Sequence, residues 1–167
     1  MKRIFPSLIL FALVGCHNDD ETPACHVTPG RMELDVNGIH ISSSDVLLPN
    51  VNYNPNSGRI DINVYFGANG LQAYHVNLGI EKAKVGTFDI PGGGFQASAN
   101  SAYYVTADYS VFDSFYVDQL KVGKITVTEF DLTKKVISGS FEVTVAQDFN
   151  KNIQTLTSGC FAELPVD

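Results

Sequence analysis

Apolar and polar residues alternate along most of the chain with a period of two. Every second residue of 60–66 and 74–80 is apolar or aromatic, and the residues between are mostly polar. Such alternation is typical of strands that bury one face. No window carries an apolar period of 3.6 residues long enough for a secure helix. The pattern therefore predicts an all-β fold.

Turn residues between the alternating segments predict three hairpins. Asn37-Gly38 accepts the positive φ of a tight turn and follows alternating residues 32–36. The second hairpin turns through "GANGLQ" and the third through "DLTKK". Further strands are predicted in "VGTFDIP", "SAYYVTADYSVF", "SFYVDQL" and "TLTSGCF". We expect a single domain, either an antiparallel β-sandwich or a flattened β-barrel.

The start of the chain departs from this pattern. Lys2 and Arg3 precede an apolar segment, residues 4–14, that has the length of a secretory signal and is too short to span a bilayer. It ends in "LVGC", which resembles a bacterial lipobox. In a lipobox the thiol, here that of Cys16, carries diacylglycerol and the cysteine becomes the new N-terminus. Two or three acyl chains such as palmitate give stable anchoring. The alternative is an ordinary cleaved signal, with Cys16 as a structural cysteine.

An acidic cluster, "NDDE" at residues 18–21, follows Cys16. It resembles the export signal that sends Bacteroidota lipoproteins to the cell surface. The alternatives are a plain solvated tether and attachment that faces the periplasm. We therefore divide the chain into a signal peptide (1–15), a lipidated cysteine with an acidic tether (16–30) and a β domain (31–167).

The net charge of the chain limits the kinds of partner that we expect it to bind. The chain has 11 Lys and Arg against 18 Asp and Glu, a net charge of −7. Removing residues 1–15 takes away Lys2 and Arg3, so the mature chain has 9 − 18 = −9. An acidic domain is unsuited to nucleic acid, whose binding depends on Lys and Arg at the phosphates. It is equally unsuited to docking on anionic lipid, so we expect membrane attachment through the acyl anchor alone.

Three cysteines occur in the chain. If Cys16 carries lipid, Cys25 and Cys160 remain as a pair in a compartment that permits disulfides. We predict a Cys25–Cys160 bridge that ties the start of the domain to its end; the alternative is two separate thiols. Neither cysteine belongs to a CxxC or CxxH pattern, so no metal site is predicted.

The segment "VGKITVTEFDLTKKVISGSFEVTV" resembles the closing part of small Bacteroidota lipoproteins of unknown function. In that group a Gly-x-Ile-x-Ile-Thr strand leads through an Asp turn to an Ile-Ser-Gly-x-Phe strand. "VGTFDI" and "LDVNGIH" are similar to other segments of the group, although the tryptophan that usually follows the Asn-Gly turn is absent. The resemblance implies a lipid-anchored β domain and brings no catalytic residue. The matching positions are Gly123, Ile125, Val127, Thr128, Asp131, Ile137, Ser138, Gly139 and Phe141.

Several short motifs resemble functional sites but lack the residues that those sites need, which favours a structural role for each. "PGGGF" (91–95) lacks the lysine and helix of a phosphate loop. "DFNKN" (148–152) lacks the glycine and glutamate of a calcium loop, which leaves at most an adventitious calcium site. "ISSSD" (41–45) lacks a hydrolase elbow. We predict no catalytic residue and no cofactor. No histidine has a second ligand at metal spacing: His17, His26, His40 and His75.

One aromatic stretch is a candidate for binding. Rings in sandwiches mostly pack in the core, but exposed rings stack on a glycan or a partner protein. We expect a non-enzymatic outer-membrane lipoprotein, displayed at the cell surface, with a binding or surface-structural role. The alternatives are a lipocalin-like carrier of a small apolar ligand and a surface glycan hydrolase. The stretch contains Tyr103, Tyr104, Tyr109, Phe112, Phe115 and Tyr116, of which the four tyrosines are the candidate binding residues.

Overall fold

The computed structural model describes residues 26–43, 49–68, 72–91, 100–108, 111–117, 123–146 and 153–167. This part of the chain forms strands and turns without a helix, which confirms the all-β prediction, and so contains no helix able to cross a membrane. The strands are β1 (Arg31–Val36), β2 (Ile39–Ser42), β3 (Asn50–Asn54), β4 (Arg59–Ala68), β5 (Gln72–Ile80), β6 (Gly86–Ile90), β7 (Ser101–Asp108), β8 (Val111–Val117), β9 (Gly123–Asp131), β10 (Val136–Ala146) and β11 (Ile153–Pro165).

The strands pair antiparallel along the path β2-β1-β11-β10-β8-β7-β5-β4-β3. β9 pairs with β10 beside this path and carries β6 on its other edge. β10 serves both sides of the molecule, because residues 136–142 pair with β9 whereas Val145 and Ala146 pair with β8. The two sheets form a sandwich and are not closed into a barrel. Of the two architectures expected, the sandwich is therefore the one that forms.

All three predicted hairpins are present, as β1–β2, β4–β5 and β9–β10. In the first turn Asn37 has φ 51° and Gly38 has φ 80°, as the Asn-Gly turn requires. In the third, Asp131 Oδ1 accepts hydrogen bonds from the backbone N–H groups of Thr133 (2.8 Å) and Lys134 (3.0 Å). These two bonds favour the carboxylate and lower the pKa of Asp131.

Two features differ from the alternation in the sequence. β3 is a strand that the polar sequence "NVNYN" does not predict; it pairs with β4 and buries Val51. Val51 also forms a parallel bridge with Val166, which ties β3 to the end of β11. Ile39, at the start of β2, is apolar but 69% exposed. Among the described strands, β2 ends the path and pairs with β1 alone.

The core lies between the two sheets and consists of the alternating apolar residues. Each strand of the β4–β5 hairpin contributes one face to it, and the opposite face of that hairpin is polar. The largest fully buried side chains are Phe141, Phe161, Met32, Leu34, Ile60, Ile62, Leu78, Ile80, Ile90, Ile125 and Ile137.

Two reciprocal glycine–phenylalanine pairs join β10 to β11. Gly139 is paired with Phe161, and Phe141 is paired with Gly159, so two Gly-x-Phe segments lie antiparallel to each other. Each buried ring occupies the space that a side chain on the opposite residue would need. A Cβ on Gly159 would lie 2.6 Å from two ring carbons of Phe141, and one on Gly139 would lie 2.7 Å from Cζ of Phe161. The rings thus fill the interior only because their partners are glycines.

We expect Gly159→Ala to lower the free energy of unfolding by about 1–3 kcal/mol, because the added methyl group overlaps the ring of Phe141. Phe141→Leu removes that ring, so the double variant should be less destabilised than the sum of the two single variants. Denaturant unfolding of the three proteins measures the coupling. Additive effects would show that the ring does not determine the requirement for glycine.

The matched control for this cycle is Gly139→Ala combined with Phe161→Leu. A Cβ on Gly139 would also collide with the backbone carbonyl oxygen of Thr126. Removing the ring of Phe161 leaves that second collision in place, so this pair of substitutions should show much less rescue.

Candidate functional site

The outward face of β4 and β5 carries a row of polar and aromatic side chains. The inward residues of the two strands are apolar and buried, so the strand period of two places the intervening residues on the opposite face. Cross-strand pairing joins Asn63 to Asn77 and Tyr65 to His75. We call these four residues, Asn63, Tyr65, His75 and Asn77, the amide–aromatic cluster.

An ion-pair network closes one end of this face. Arg59 Nε donates to both carboxylate oxygens of Asp61, each at 3.0 Å. Arg59 Nη1 donates to Glu81 Oε1 at 2.6 Å. The Arg59 side chain is only 12% exposed, and the hydrogen bonds to Asp61 and Glu81 raise its pKa above the usual value. It lies across Gly79, where a Cβ would collide with Nη2 and would lie 2.6 Å from Ser101 Oγ. This network pairs one cation with two carboxylates, for a net charge of 1 − 2 = −1, and the guanidinium covers Gly79.

The amides of the cluster form a shared hydrogen-bond centre. Asn63 Oδ1 accepts a bond from Asn77 Nδ2 at 2.8 Å and lies 3.2 Å from His75 Nε2. Asn77 is 5% exposed, and its Oδ1 has no hydrogen-bond partner in the part of the chain that the structure describes. A buried acceptor without a donor is unfavourable by about 1–3 kcal/mol.

Tyr65 and His75 stack face to face beside the amides. Their ring centroids are 4.4 Å apart and their planes differ by 7°. His75 is half-buried, and this burial lowers the pKa of its imidazole below the ordinary 6.5. Tyr65 is 39% exposed. The stack therefore presents an uncharged, amphipathic aromatic surface to solvent near neutral pH.

The chemistry that this arrangement offers is recognition by stacking and hydrogen bonding. Among its contacts, His75 Nε2 lies 3.2 Å from the amide oxygen of Asn63. Elsewhere His40 is exposed on β2, with Nδ1 3.1 Å from Asp35 Oδ1 and Nε2 3.7 Å from Glu33 Oε2. Across the described residues, no group of three or more His, Cys, Asp or Glu side chains is placed to hold a metal ion.

The candidate site residues predicted from the sequence do not lie together in the structure described above. Cys16, Cys25 and Tyr109 lie outside the described residues, as do Asp45, residues 92–95 of the glycine-rich segment and residues 148–152 of the calcium-like loop. Tyr103, Tyr104 and Tyr116 lie on β7 and β8, and nothing of their side chains is described. By backbone register, Tyr103 pairs with Asn77 on one side and with Tyr116 on the other.

Cys160 lies near the centre of β11, paired with Ser140 of β10 and with Glu33 of β1. Its predicted bridge to Cys25 stays a prediction.

Sequence reasoning did not single out the amide–aromatic cluster. The alternation over residues 60–66 predicts that Asn63 and Tyr65 face away from the core. The pattern of one strand does not show which residues of the next strand they meet. The available signal was the presence of Asn63 and Asn77 in the middle of two strands, where asparagine is depleted. Two asparagines that pair across neighbouring strands form a polar site in the sheet and mark it as a candidate for function.

The lowered pKa of His75 predicts a pH dependence of stability. The unfolded chain takes up a proton at this position near pH 6.5, whereas the folded protein does so only at lower pH. We therefore expect the free energy of unfolding to fall as the pH drops below about 6.5, and to be insensitive to His75 above it. Thermal melts from about pH 8 to pH 5 measure this.

His75→Gln should flatten this part of the profile. His40→Gln, at an exposed histidine, is the control and should keep it. If the profile of His75→Gln keeps the slope of the unsubstituted protein, another group is responsible.

Comparison with known proteins adds the family. No curated protein and no solved structure matches this chain significantly. Residues 56–165 match a family described as Domain of unknown function (DUF6252). The match starts in the turn before β4 and ends at the last residue of β11, so it includes the amide–aromatic cluster and both glycine–phenylalanine pairs. Because it covers more than half of the 167 residues, the chain belongs to the family Domain of unknown function (DUF6252).

Proposed function

We propose that this protein is a non-enzymatic binding protein, anchored in the outer membrane by lipid on Cys16 and displayed at the cell surface. Its binding surface is the polar face of β4 and β5. The observation that carries the binding role is the exposed ring of Tyr65, which stacks on His75 beside the hydrogen-bonded amides of Asn63 and Asn77. An exposed aromatic ring held in place by a neighbouring ring is suited to contact with a ligand or a partner protein.

The lipid anchor is supported by three agreeing features of the first 16 residues. Lys2 and Arg3 give the basic start, residues 4–14 give the apolar segment, and "LVGC" places the thiol at its end. The acidic residues 19–21 follow at once and support display at the surface. The likeness of residues 122–145 to small Bacteroidota lipoproteins agrees with this proposal. Attachment facing the periplasm is the alternative location.

A binding role is preferred to catalysis because of how His75 is held. Its ring stacks on Tyr65 and its Nε2 faces the amide oxygen of Asn63, which serves a second donor as well. General acid–base catalysis needs a histidine whose proton can move to or from a reacting group. The His75 imidazole, whose pKa is lowered by burial, is suited to orienting the ring of Tyr65 and the amide of Asn63.

The carrier alternative finds no support in the fold. A carrier of the lipocalin type needs a closed barrel with a lined cavity. Here the two sheets stay open as a sandwich, and Phe141 and Phe161 fill the space above Gly159 and Gly139. We therefore place the ligand on the outside of the sheet.

We expect the full chain, produced in a Gram-negative host, to fractionate with membranes and to carry a diacylglyceryl mass on Cys16. Cys16→Ser should abolish the lipid mass and release the protein from the membrane fraction, because one acyl-bearing residue provides the whole attachment. Mass spectrometry and detergent-phase partition measure the two effects. Protease added to intact cells should degrade the protein if it is displayed at the surface.

Ile39→Ala, at an exposed residue of β2, is the control for the anchor, since it leaves the lipobox intact and should leave the protein in the membrane fraction. An unmodified leader on the purified native protein would contradict the proposal.

We also expect Cys25 and Cys160 to be joined by a disulfide in the exported protein. Alkylation before reduction should then label neither thiol, whereas alkylation after reduction should label both. Removing the bridge should lower the free energy of unfolding by about 2–5 kcal/mol, because it closes a long loop of the unfolded chain. Cys25→Ser, Cys160→Ser and the double variant should be equally destabilised under oxidising conditions. A single variant as stable as the unsubstituted protein would contradict the bridge.

A further inference from the structure

We propose that Asn37 is a modification site: its side chain deamidates through attack by the backbone nitrogen of Gly38, and β11 slows this reaction in the folded protein by holding the Asn37 amide. The co-reactant is water, and the products are ammonia and an aspartyl residue. The site lies in the turn between β1 and β2, beside the start of β11. It depends neither on the lipid anchor nor on the amide–aromatic cluster.

The turn between β1 and β2 has the features that deamidation requires. Asn37 and Gly38 are both exposed, and a Cβ built on Gly38 would meet no atom within 4 Å beyond its neighbours in the chain, so water reaches the turn. Glycine has no side chain to shield its backbone nitrogen, which makes Asn-Gly the most readily deamidated asparagine pair. The chain contains a second such pair, Asn69-Gly70, which lies outside the described residues.

The reaction has two steps. The Gly38 nitrogen gives its proton to water and forms a bond to Cγ of Asn37, while Nδ2 takes up a proton and leaves as ammonia. This closes a succinimide ring, which water then opens at either of its carbonyl carbons. Cleavage of the new bond to Cγ yields aspartate. Cleavage of the bond to the main-chain carbonyl carbon yields isoaspartate, whose backbone contains one additional carbon.

Strand β11 holds the Asn37 amide by both of its polar atoms. Asn37 Oδ1 accepts a hydrogen bond from the backbone N–H of Thr155 at 2.9 Å, and Nδ2 donates to Gln154 Oε1. The backbone N–H of Asn37 also donates to the carbonyl oxygen of Thr155 at 2.9 Å. These bonds extend the pairing of β1 with β11 beyond Val36 and Leu156. A side-chain oxygen thus takes the place of a main-chain carbonyl at the end of the ladder.

This arrangement opposes the attack on Cγ. Ring closure needs rotation of the Asn37 side chain, and the hydrogen bonds on both amide atoms resist that rotation. It also needs rotation of the peptide that follows, whereas Asn37 and Gly38 hold the positive φ values of a tight turn, 51° and 80°, closed by the pairing of Val36 with Ile39. Deamidation therefore proceeds mainly in copies whose turn has separated from β11.

The two products differ in their effect on the fold. Aspartate at position 37 keeps an oxygen that can accept the N–H of Thr155, but it loses the donor to Gln154. Isoaspartate lengthens a two-residue turn whose length sets the register of β1 and β2. Because β2 has only four residues and pairs with β1 alone among the described strands, isoaspartate should release β2 from the sheet.

The test incubates the purified full-length protein at mildly alkaline pH, either folded or unfolded in urea. Peptide mapping by mass spectrometry follows the conversion of asparagine to aspartate and isoaspartate. We expect Asn37 to deamidate about tenfold more slowly, or slower still, in the folded protein than in urea, as the loss of two amide hydrogen bonds implies. In urea Asn37 and Asn69 should react at similar rates, which gives the unprotected rate within the same chain.

Gln154→Leu removes the acceptor of the Nδ2 bond and should raise the rate at Asn37 in the folded protein by about two- to tenfold, the effect of one hydrogen bond. Gln154→Glu keeps an acceptor oxygen and should react as slowly as the unsubstituted protein. Ile153→Ala is the matched control, an exposed apolar side chain next to Gln154 on β11, and should leave the rate unchanged. Circular dichroism checks that each variant folds.

Three results would overturn this inference: equal rates at Asn37 in the folded and the urea-unfolded protein, no reaction at Asn37 in urea, or equal rates for Gln154→Leu and Gln154→Glu. Acceleration by Ile153→Ala to the rate of Gln154→Leu would also contradict it, because general loosening of β11 would then explain both. These results leave the lipid on Cys16 and binding by the polar face of β4 and β5 untouched.

Discussion

The fold depends on the contact between β10 and β11, where each phenylalanine lies over a glycine of the other strand. β10 is the strand that serves both sheets, pairing with β9 in its first part and with β8 at its end. The position of β10 therefore determines the position of β8 and, through β8, of the paired strands β7, β5 and β4. Phe141 and Phe161 favour the observed register of β10 and β11, because each ring occupies the space that a Cβ on the opposite glycine would take. The placement of the polar face follows from this packing in the core.

The same alternation that builds the core also builds the candidate site. On β4 and β5 the inward residues are apolar and rigidly packed, and the outward residues of the same strands are Asn63, Tyr65, His75 and Asn77. A slip of one residue would expose this core, so the register of β4 and β5 is strongly specified. The same register places Asn63 opposite Asn77 and Tyr65 opposite His75, which gives the shared amide acceptor and the stacked ring pair.

Much of the fold was predictable because turns and faces are local properties. Asn37-Gly38 specifies its hairpin through backbone conformation, and the alternation in β4, β5 and β10 specifies which residues are buried. What could not be predicted is nonlocal. The polar strand β3 exists because it completes the edge beside β4, and Val51 meets Val166 only after the whole sandwich has formed.

The candidate site shows the same limit. Asn63 and Asn77 are 14 residues apart and become one polar centre only through the register of two strands. Of the tyrosines that the sequence singles out, Tyr103 and Tyr104 lie on β7, next to β5, and Tyr116 lies on β8; Tyr103 is beside Asn77 in backbone register.

The edge strand β2 has a consequence for how copies of this protein behave when crowded. An unpaired strand edge is a template on which another chain can add a strand and begin aggregation. β2 is only four residues long, and the carboxylates of Glu33 and Asp35 flank His40 beside it. A short edge with acidic neighbours repels the same edge of a second copy. Copies of the protein at high concentration are thus discouraged from pairing through β2, even though Ile39 lies open to water at the start of that strand.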